Sequence, residues 1–202
     1  MLRLMPRWLP LIALLLVVSG CASSTAFTDS GRLRVVAAEN FWGSIAAQLG
    51  GNRVQVESLI HNPATDPHDY EPTAADARTL AEAQLAIENG VGYDPWASKL
   101  IDANPVDGRH VIDVGDVVGV KSGGNPHRWY SPGDVQKVID AITAEYKRLD
   151  PSHAGYYDRQ RSAFRSRALA AYNSLIARIR GRYAGVPVGA SESIFAPLAQ
   201  SL

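Results

Sequence analysis

Apolar and polar residues alternate along this chain with two different periods, and the period changes near its middle. Leu33 to Ala38 is a short apolar run that predicts a strand, and Arg53 to Leu59 alternates as a second one. Between them Phe41 to Leu49 predicts a helix, with Asn40 as its N-cap and Gly50-Gly51 ending it. A loop rich in Pro, Asp and Asn runs from His61 to Pro72. Thr73, with Asp76 three residues on, predicts a capping-box start to a helix through Ala83. Leu85 to Glu88 predicts a third strand closed by Asn89-Gly90, Pro95 to Ala103 a short helix, and His110 to Val114 a fourth strand. Strand and helix alternate throughout, which argues an α/β lobe with a mainly parallel four-stranded sheet flanked by helices.

Beyond this lobe the helical period takes over. Ser131 to Leu149 places Val135, Val138, Ile139, Ile142 and Tyr146 on one face. Asp150-Pro151 then reads as an N-cap with proline at the first helical position. From there a single helical pattern runs to about Tyr183, with Tyr157, Phe164, Ala168, Tyr172, Leu175, Ile179 and Tyr183 as its apolar stripe. About thirty residues make a rod of roughly 45 Å, a length that suits a spine between two lobes. The arginines that decorate it, Arg159, Arg161, Arg165, Arg167, Arg178 and Arg180, read as a solvated face. Pro187 to Ala190 predicts a strand, and Ser191 to Leu202 the start of a further helix.

The first residues stand apart from this pattern. Arg3 and Arg7 precede an apolar run from Leu9 to Val18, which has the length of a signal peptide and is short for a membrane span. The run ends in Val18-Ser19-Gly20-Cys21, small residues before the chain's single cysteine. This resembles a bacterial lipobox, in which Cys21 becomes the lipidated first residue; the plainer alternative is a lone cysteine beside an ordinary cleavage site. One cysteine excludes a disulfide framework and a thiolate metal cluster. Ala22 to Gly31 is small and polar, as a flexible tether is. The formal charge is zero; without Arg3 and Arg7, 18 basic residues face 20 acidic ones, a net of −2. That balance carries no nucleic-acid signature.

Among the five histidines, two share a setting: Asp66-Pro67-His68 and Asn125-Pro126-His127. Each follows a predicted strand and precedes a predicted helix, so the two imidazoles, 59 positions apart, can meet where open α/β sheets bind ligands. The proline before each stiffens the loop. Neutral imidazole binds divalent transition metals, and two of them with carboxylates suit Zn²⁺ or Mn²⁺. Taken singly, each also reads as an ordinary loop histidine. His61, His110 and His153 lack such a context. There is no His-Glu-x-x-His helix, Gly-x-Ser-x-Gly elbow or phosphate-cradling glycine loop, so no enzyme constellation appears.

Several segments in order resemble the zinc/manganese solute-binding lipoproteins of metal ABC importers, the cluster A-I or cluster 9 family. They are Val35 to Trp42, Ile45 to Val56 with its Gly-Gly-Asn-Arg-Val turn, Asp66 to Pro72 with Asp76-Ala77, Glu88 to Tyr93, Asn125 to Tyr130, Leu149 to Pro151 and Ala190 to Phe195. The resemblance implies two α/β lobes joined by a long helix, with His68 and His127 as metal ligands from the first lobe and Glu192 as the third ligand. The fourth ligand of the family, usually Asp, falls beyond Leu202. On this reading residues 1–20 are a lipoprotein signal peptide, 21–31 the lipidated Cys21 and tether, and 32–149 the metal-binding lobe. Residues 150–184 are then the linker helix and 185–202 the start of a C-terminal lobe, so the chain is expected to be truncated.

The implied function is extracytoplasmic capture of a divalent transition metal and its delivery to the membrane permease of an ABC importer. The protein would be a monomer held to the cell membrane through Cys21, without catalysis or nucleic acid. Glu192 looks like the manganese branch of the family, whereas the affinity order favours zinc. Binding needs neutral imidazoles and should weaken as pH falls through the histidine range. The alternatives are a surface adhesin, a metallohydrolase using the same histidines, and a non-functional fragment.

Overall fold

The computed structural model describes residues 31–202. The signal peptide and Cys21 lie outside the described residues. Four strands form one all-parallel sheet: β1 (Leu33–Glu39), β2 (Val54–Ile60), β3 (Leu85–Glu88) and β4 (His110–Asp113). Their order is β2-β1-β3-β4, so β1 lies inside the sheet, and it is buried along almost its whole length. Parallel sheets of this kind need cover on both faces. Residue alternation along β1 supplies both contacts. Val35 and Ala37 pack into one cluster with Trp42 of α1 (Asn40–Gly50), Ile139, Ile142 and Tyr146 of α5 (Pro132–Leu149) and Tyr157 of α6 (Ala154–Ala163). Val36 and Ala38 face the opposite layer, built by Leu80 of α2 (Ala74–Ala81) and Trp96 and Ala97 of α3 (Pro95–Ala103).

The local signals that rest on capping chemistry are realised closely. Thr73 Oγ1 accepts from the backbone N–H of Ala75 and Asp76, while Asp76 Oδ2 accepts from Thr73 N–H at 2.6 Å, closing the capping box. The helix ends at Ala81, two residues short of the expected Ala83. Ser131 caps α5, and all five residues assigned to its apolar face are buried. Tyr146 is fully enclosed and its hydroxyl donates to the Ala46 carbonyl at 3.0 Å, which locks α5 to α1.

Four expectations are corrected. Asn40 is the first helical residue and not the cap, because β1 runs straight into α1 and Glu39 takes the capping position with its carboxylate turned into the core. β4 ends at Asp113, one residue short of the expected Val114, and a short helix not foreseen from the sequence, α4 (Val114–Val118), follows it; Asp113 caps it and Gly119 ends it in the left-handed region. Five residues are too few for a helical period to register. Asp150 does hold the N-cap position with Pro151 next, but of a single 3₁₀ turn, Pro151–His153, and not of the long helix; its carboxylate bonds no backbone N–H and accepts instead from the side chains of His153, Ser152 and Tyr157. Pro187 to Ala190 is not a strand but exposed, irregular chain.

The long helical pattern is also not one α-helix. Between α6 and α7 (Ala170–Tyr183) lies a π-turn at Phe164–Ala168, in which Leu169 N–H donates to the Phe164 carbonyl at 3.0 Å. A π-turn inserts one extra residue and shifts every later side chain around the axis. Tyr157 and Phe164 are buried as expected, but beyond the turn Leu175 is exposed and its neighbour Ile176 is buried instead. Two of the decorating arginines are not merely solvated: Arg161 and Arg165 pair with Asp140 of α5 at 3.0 and 2.9 Å. The chain closes with a 3₁₀ turn at Ser193–Phe195 and one turn of helix, α8 (Ala196–Ala199).

Candidate metal centre

In an open parallel sheet the binding crevice opens at the carboxyl ends of the two strands where the order reverses. Here those strands are β1 and β3, which end at Glu39 and Glu88-Asn89. The loops after β2 and after α4 carry the two Pro-His pairs to this same end.

Both loops fold by the same device. The side-chain oxygen of the residue before proline accepts the backbone N–H of the histidine, from His68 to Asp66 Oδ1 at 2.9 Å and from His127 to Asn125 Oδ1 at 3.0 Å. These are turns in which Asp or Asn bonds its own backbone two residues on. The carbonyl of each proline is tied to the core: Trp96 Nε1 donates to Pro67 at 2.9 Å and Asn89 Nδ2 to Pro126 at 3.0 Å.

The two rings meet on one aromatic wall. Tyr93 receives His68 edge-on at 4.8 Å between centroids and His127 at 5.9 Å. Trp129 lies 5.3 Å from His127 and stacks on Phe41 at 4.1 Å. His68 is exposed and His127 half-buried. Asn125 Oδ1 also lies 2.9 Å from His127 Nδ1. An amide oxygen only accepts, so Nδ1 carries the proton and Nε2 keeps the lone pair a metal needs. Burial, then the neighbouring His68, hold the His127 pKa below its ordinary value, with Glu192 pulling it back. The ring is therefore biased toward its neutral, metal-competent form.

Glu192 is exposed on the loop before the Ser193–Phe195 turn, near enough to His127 for its charge to be felt there. The same Asn125 reaches this loop: its amide nitrogen donates to the Ser193 carbonyl at 2.7 Å. Among the described residues, however, no group of three or more His, Cys, Asp or Glu stands close enough to share one ion. His68, His127 and Glu192 thus do not form a closed cluster. The other histidines have structural partners, His110 with Glu145 at 2.6 Å and His153 with Asp150 at 2.7 Å; His61 is exposed.

Beneath the wall lies a buried acidic floor. Asp94 accepts the backbone N–H of Asn89 at 2.7 Å and of Gly90 at 2.8 Å, closing a turn in which Gly90, Val91 and Gly92 are all left-handed. At Gly90 only glycine fits, because a Cβ would meet Asp113 Oδ1 at 2.2 Å. A β-branched residue at φ 58°, as Val91 is, stores strain of about 1–3 kcal/mol that the surrounding bonds must hold. Glu39 is buried with no hydrogen-bond partner for either carboxylate oxygen, although Asp94 is a near neighbour. Burial, and then Asp94, push its pKa well above the carboxylate range. Burial also raises Asp94, and takes Glu88 up to about 7 despite the hydroxyl that Ser98 donates to it. Tyr93, raised first by burial and then by these acids, stays a neutral phenol.

Sequence reasoning singled out the two histidines but not the residues that hold them. Asn89 and Trp96 looked like a strand-ending turn residue and part of a helix, and nothing local marks a donor aimed at a proline 37 or 29 positions away.

An all-parallel lobe whose switch point carries two Asx-Pro-His loops defines a class of α/β ligand-binding proteins. Residues 35–202 match the family described as zinc-uptake complex component A, periplasmic, and the chain belongs to that family. It is 27% identical over 158 residues to the manganese ABC transporter substrate-binding lipoprotein PsaA of Streptococcus pneumoniae, covering 71% of this chain and 51% of the relative. It is 29% identical over 179 residues to the iron-binding protein YfeA of Yersinia pestis, covering 86% and 56%. Its fold matches the Mn-bound periplasmic metal binding protein from Candidatus Liberibacter asiaticus with a TM-score of 0.75 at 25% identity, over 84% of this chain and 66% of that one. The chain spans about half the length of the curated relatives it matches.

Proposed function

We propose that this protein captures a divalent transition metal, zinc or manganese, on the extracytoplasmic face of the cell membrane and delivers it to the permease of an ABC importer. The metal is cargo, not a cofactor, and the reading is capture without catalysis. His68 and His127 are the proposed ligands from the first lobe. Glu192 is the proposed carboxylate, brought in by movement of the loop that Asn125 tethers. Cys21 is the proposed site of the lipid anchor, and the protein acts as a monomer toward its permease.

The observation that carries this reading is the paired presentation of two imidazoles on the Tyr93 ring, with His127 Nδ1 already engaged so that Nε2 is free to bind. Membership of the zinc-uptake family and the metals named for its relatives support the same conclusion. The test is isothermal titration of the full chain with Zn²⁺ and with Mn²⁺. Stoichiometric binding that disappears in His68→Ala and in His127→Ala is the expected result. Unchanged affinity in either variant would overturn the site.

A further inference from the structure

We propose that Asn89 and Trp96 are the positioning residues of the site, each holding one histidine loop through the carbonyl of the preceding proline; the inference rests on the metal-capture reading for its purpose. Two buried donors, both from the segment that leaves β3, meet the carbonyls of the two prolines: Asn89 Nδ2 on Pro126 and Trp96 Nε1 on Pro67. The Pro126 carbonyl also accepts the backbone N–H of Arg128 at 2.7 Å, a local bond within its own loop; among the described residues, Asn89 and Trp96 are what tie the two carbonyls to the core.

Asn89 is fully buried, and its polar groups are used on every side. Its side-chain oxygen accepts from Trp42 Nε1 at 3.0 Å, its backbone N–H donates to Asp94, and its carbonyl accepts from Gly115 N–H at 3.1 Å. The amide group is thereby fixed in one orientation, with its NH₂ aimed at the His127 loop. Trp96 is held as firmly: its ring is nearly buried and meets Tyr70 edge-on at 4.7 Å. A proline carbonyl cannot move without turning the peptide that leads into the histidine, so each bond sets the direction in which its imidazole leaves the loop. Both donors are buried, Asn89 directly after β3 and Trp96 in α3, which is how a site on loops gains the precision of a site on regular elements.

The two tethers are separate, and this makes the claim testable. Asn89→Asp keeps the acceptor for Trp42 and replaces the donor to Pro126 by a lone pair. Trp96→Phe keeps the ring and removes the donor to Pro67. The readout is the ¹⁵N and ¹H shifts of the two imidazoles in the metal-free full chain, followed by Zn²⁺ titration. Asn89→Asp should move the His127 signals and leave His68 in place, and Trp96→Phe should do the reverse. Each should weaken Zn²⁺ binding by about 10–100-fold, the usual cost of losing a ligand's supporting hydrogen bond.

If either variant moves both rings alike, or neither ring, the assignment is overturned, and so it is if both variants bind Zn²⁺ as wild type does. A wild-type chain that binds no metal sinks the capture reading alone, since the imidazole shifts still decide the positioning claim. Should Asn89→Asp fail to fold, the wild-type chain decides. Nuclear Overhauser contacts from the Asn89 amide protons to Pro126–His127, and from Trp96 Hε1 to Pro67–His68, are expected, and their absence overturns the proposal.

Discussion

The loops that carry His68 and His127 share one turn and one kind of tether, yet they hold their rings differently. Asp66 accepts only the backbone N–H of His68. Asn125 accepts both the backbone and the ring Nδ1–H of His127, and with its amide nitrogen also grips the Ser193 carbonyl. The His68 loop is therefore fixed in path with a ring set by its contact with Tyr93, whereas the His127 loop is fixed in path, tautomer and ring direction. The grip on Ser193 requires the amide, because only an amide offers a donor as well as an acceptor; accepting the ring N–H does not, since a carboxylate oxygen can do the same, and here the His68 ring meets Tyr93 instead. The His127 side is the preformed half of the proposed site, and it is the half whose loop is tied to the Glu192 loop through Ser193.

The strongest way to break this comparison is to remove the rings themselves. His68→Ala and His127→Ala should each lower Zn²⁺ affinity by more than the roughly 100-fold upper range for losing a supporting bond, measured by competitive titration. Equal losses would show both rings as ligands; an unaffected His68→Ala would overturn the two-histidine site.

Asn125→Ala probes what is special to the second loop. It removes the Nδ1 acceptor, the turn and the Ser193 tether together, and should weaken Zn²⁺ binding by about 10–100-fold. Asp66→Ala removes only a turn, so its effect should stay below about tenfold. Asp66→Asn, which keeps the accepting oxygen, should be close to wild type in the same titration. A larger loss from Asp66→Ala than from Asn125→Ala would reverse the ranking of the two loops.

The smallest effect sharpens what the loops share, the acidic floor. Glu88 has a folded pKa raised to about 7, so between about pH 4.5 and 7 the folded protein binds more protons than the unfolded chain. Its stabilising contribution is complete below that window and is lost as pH rises through it. Glu39, also raised, acts in the same direction. Glu88→Gln should therefore flatten the fall in stability between pH 5 and pH 8 by on the order of 1 kcal/mol once solvent screening is allowed for, read from urea midpoints. The change should be the same in an Asn125→Ala background, because the floor lies under both loops.

Much of the lobe was legible because its signals are local. The Thr73–Asp76 capping box and the apolar face of α5 each depend on residues within a few turns, and each is formed as read. The long helix was misread beyond Phe164 because periodicity assumes a constant turn. The π-turn added one residue, and the stripe moved from Leu175 to Ile176. Asp150-Pro151 does open a helical turn, but only a 3₁₀ one, and the Asp150 carboxylate is taken by the side chains of Ser152, His153 and Tyr157 in place of backbone N–H groups.

The sequence by itself determined the alternation that makes a parallel sheet, the elements and their order, and the two Asx-Pro-His turns, since these need only neighbours in the chain. Only the tertiary structure decided that β1 and β3 flank the switch point, that Asn89 and Trp96 reach Pro126 and Pro67, and that Asn125 sets the tautomer of His127 while holding the Ser193 loop. Apart from the Asn125–His127 contact, which spans two positions, those bonds join residues far apart in sequence. Their free energy exists only once the sheet has brought the partners within 3 Å and excluded water from between them.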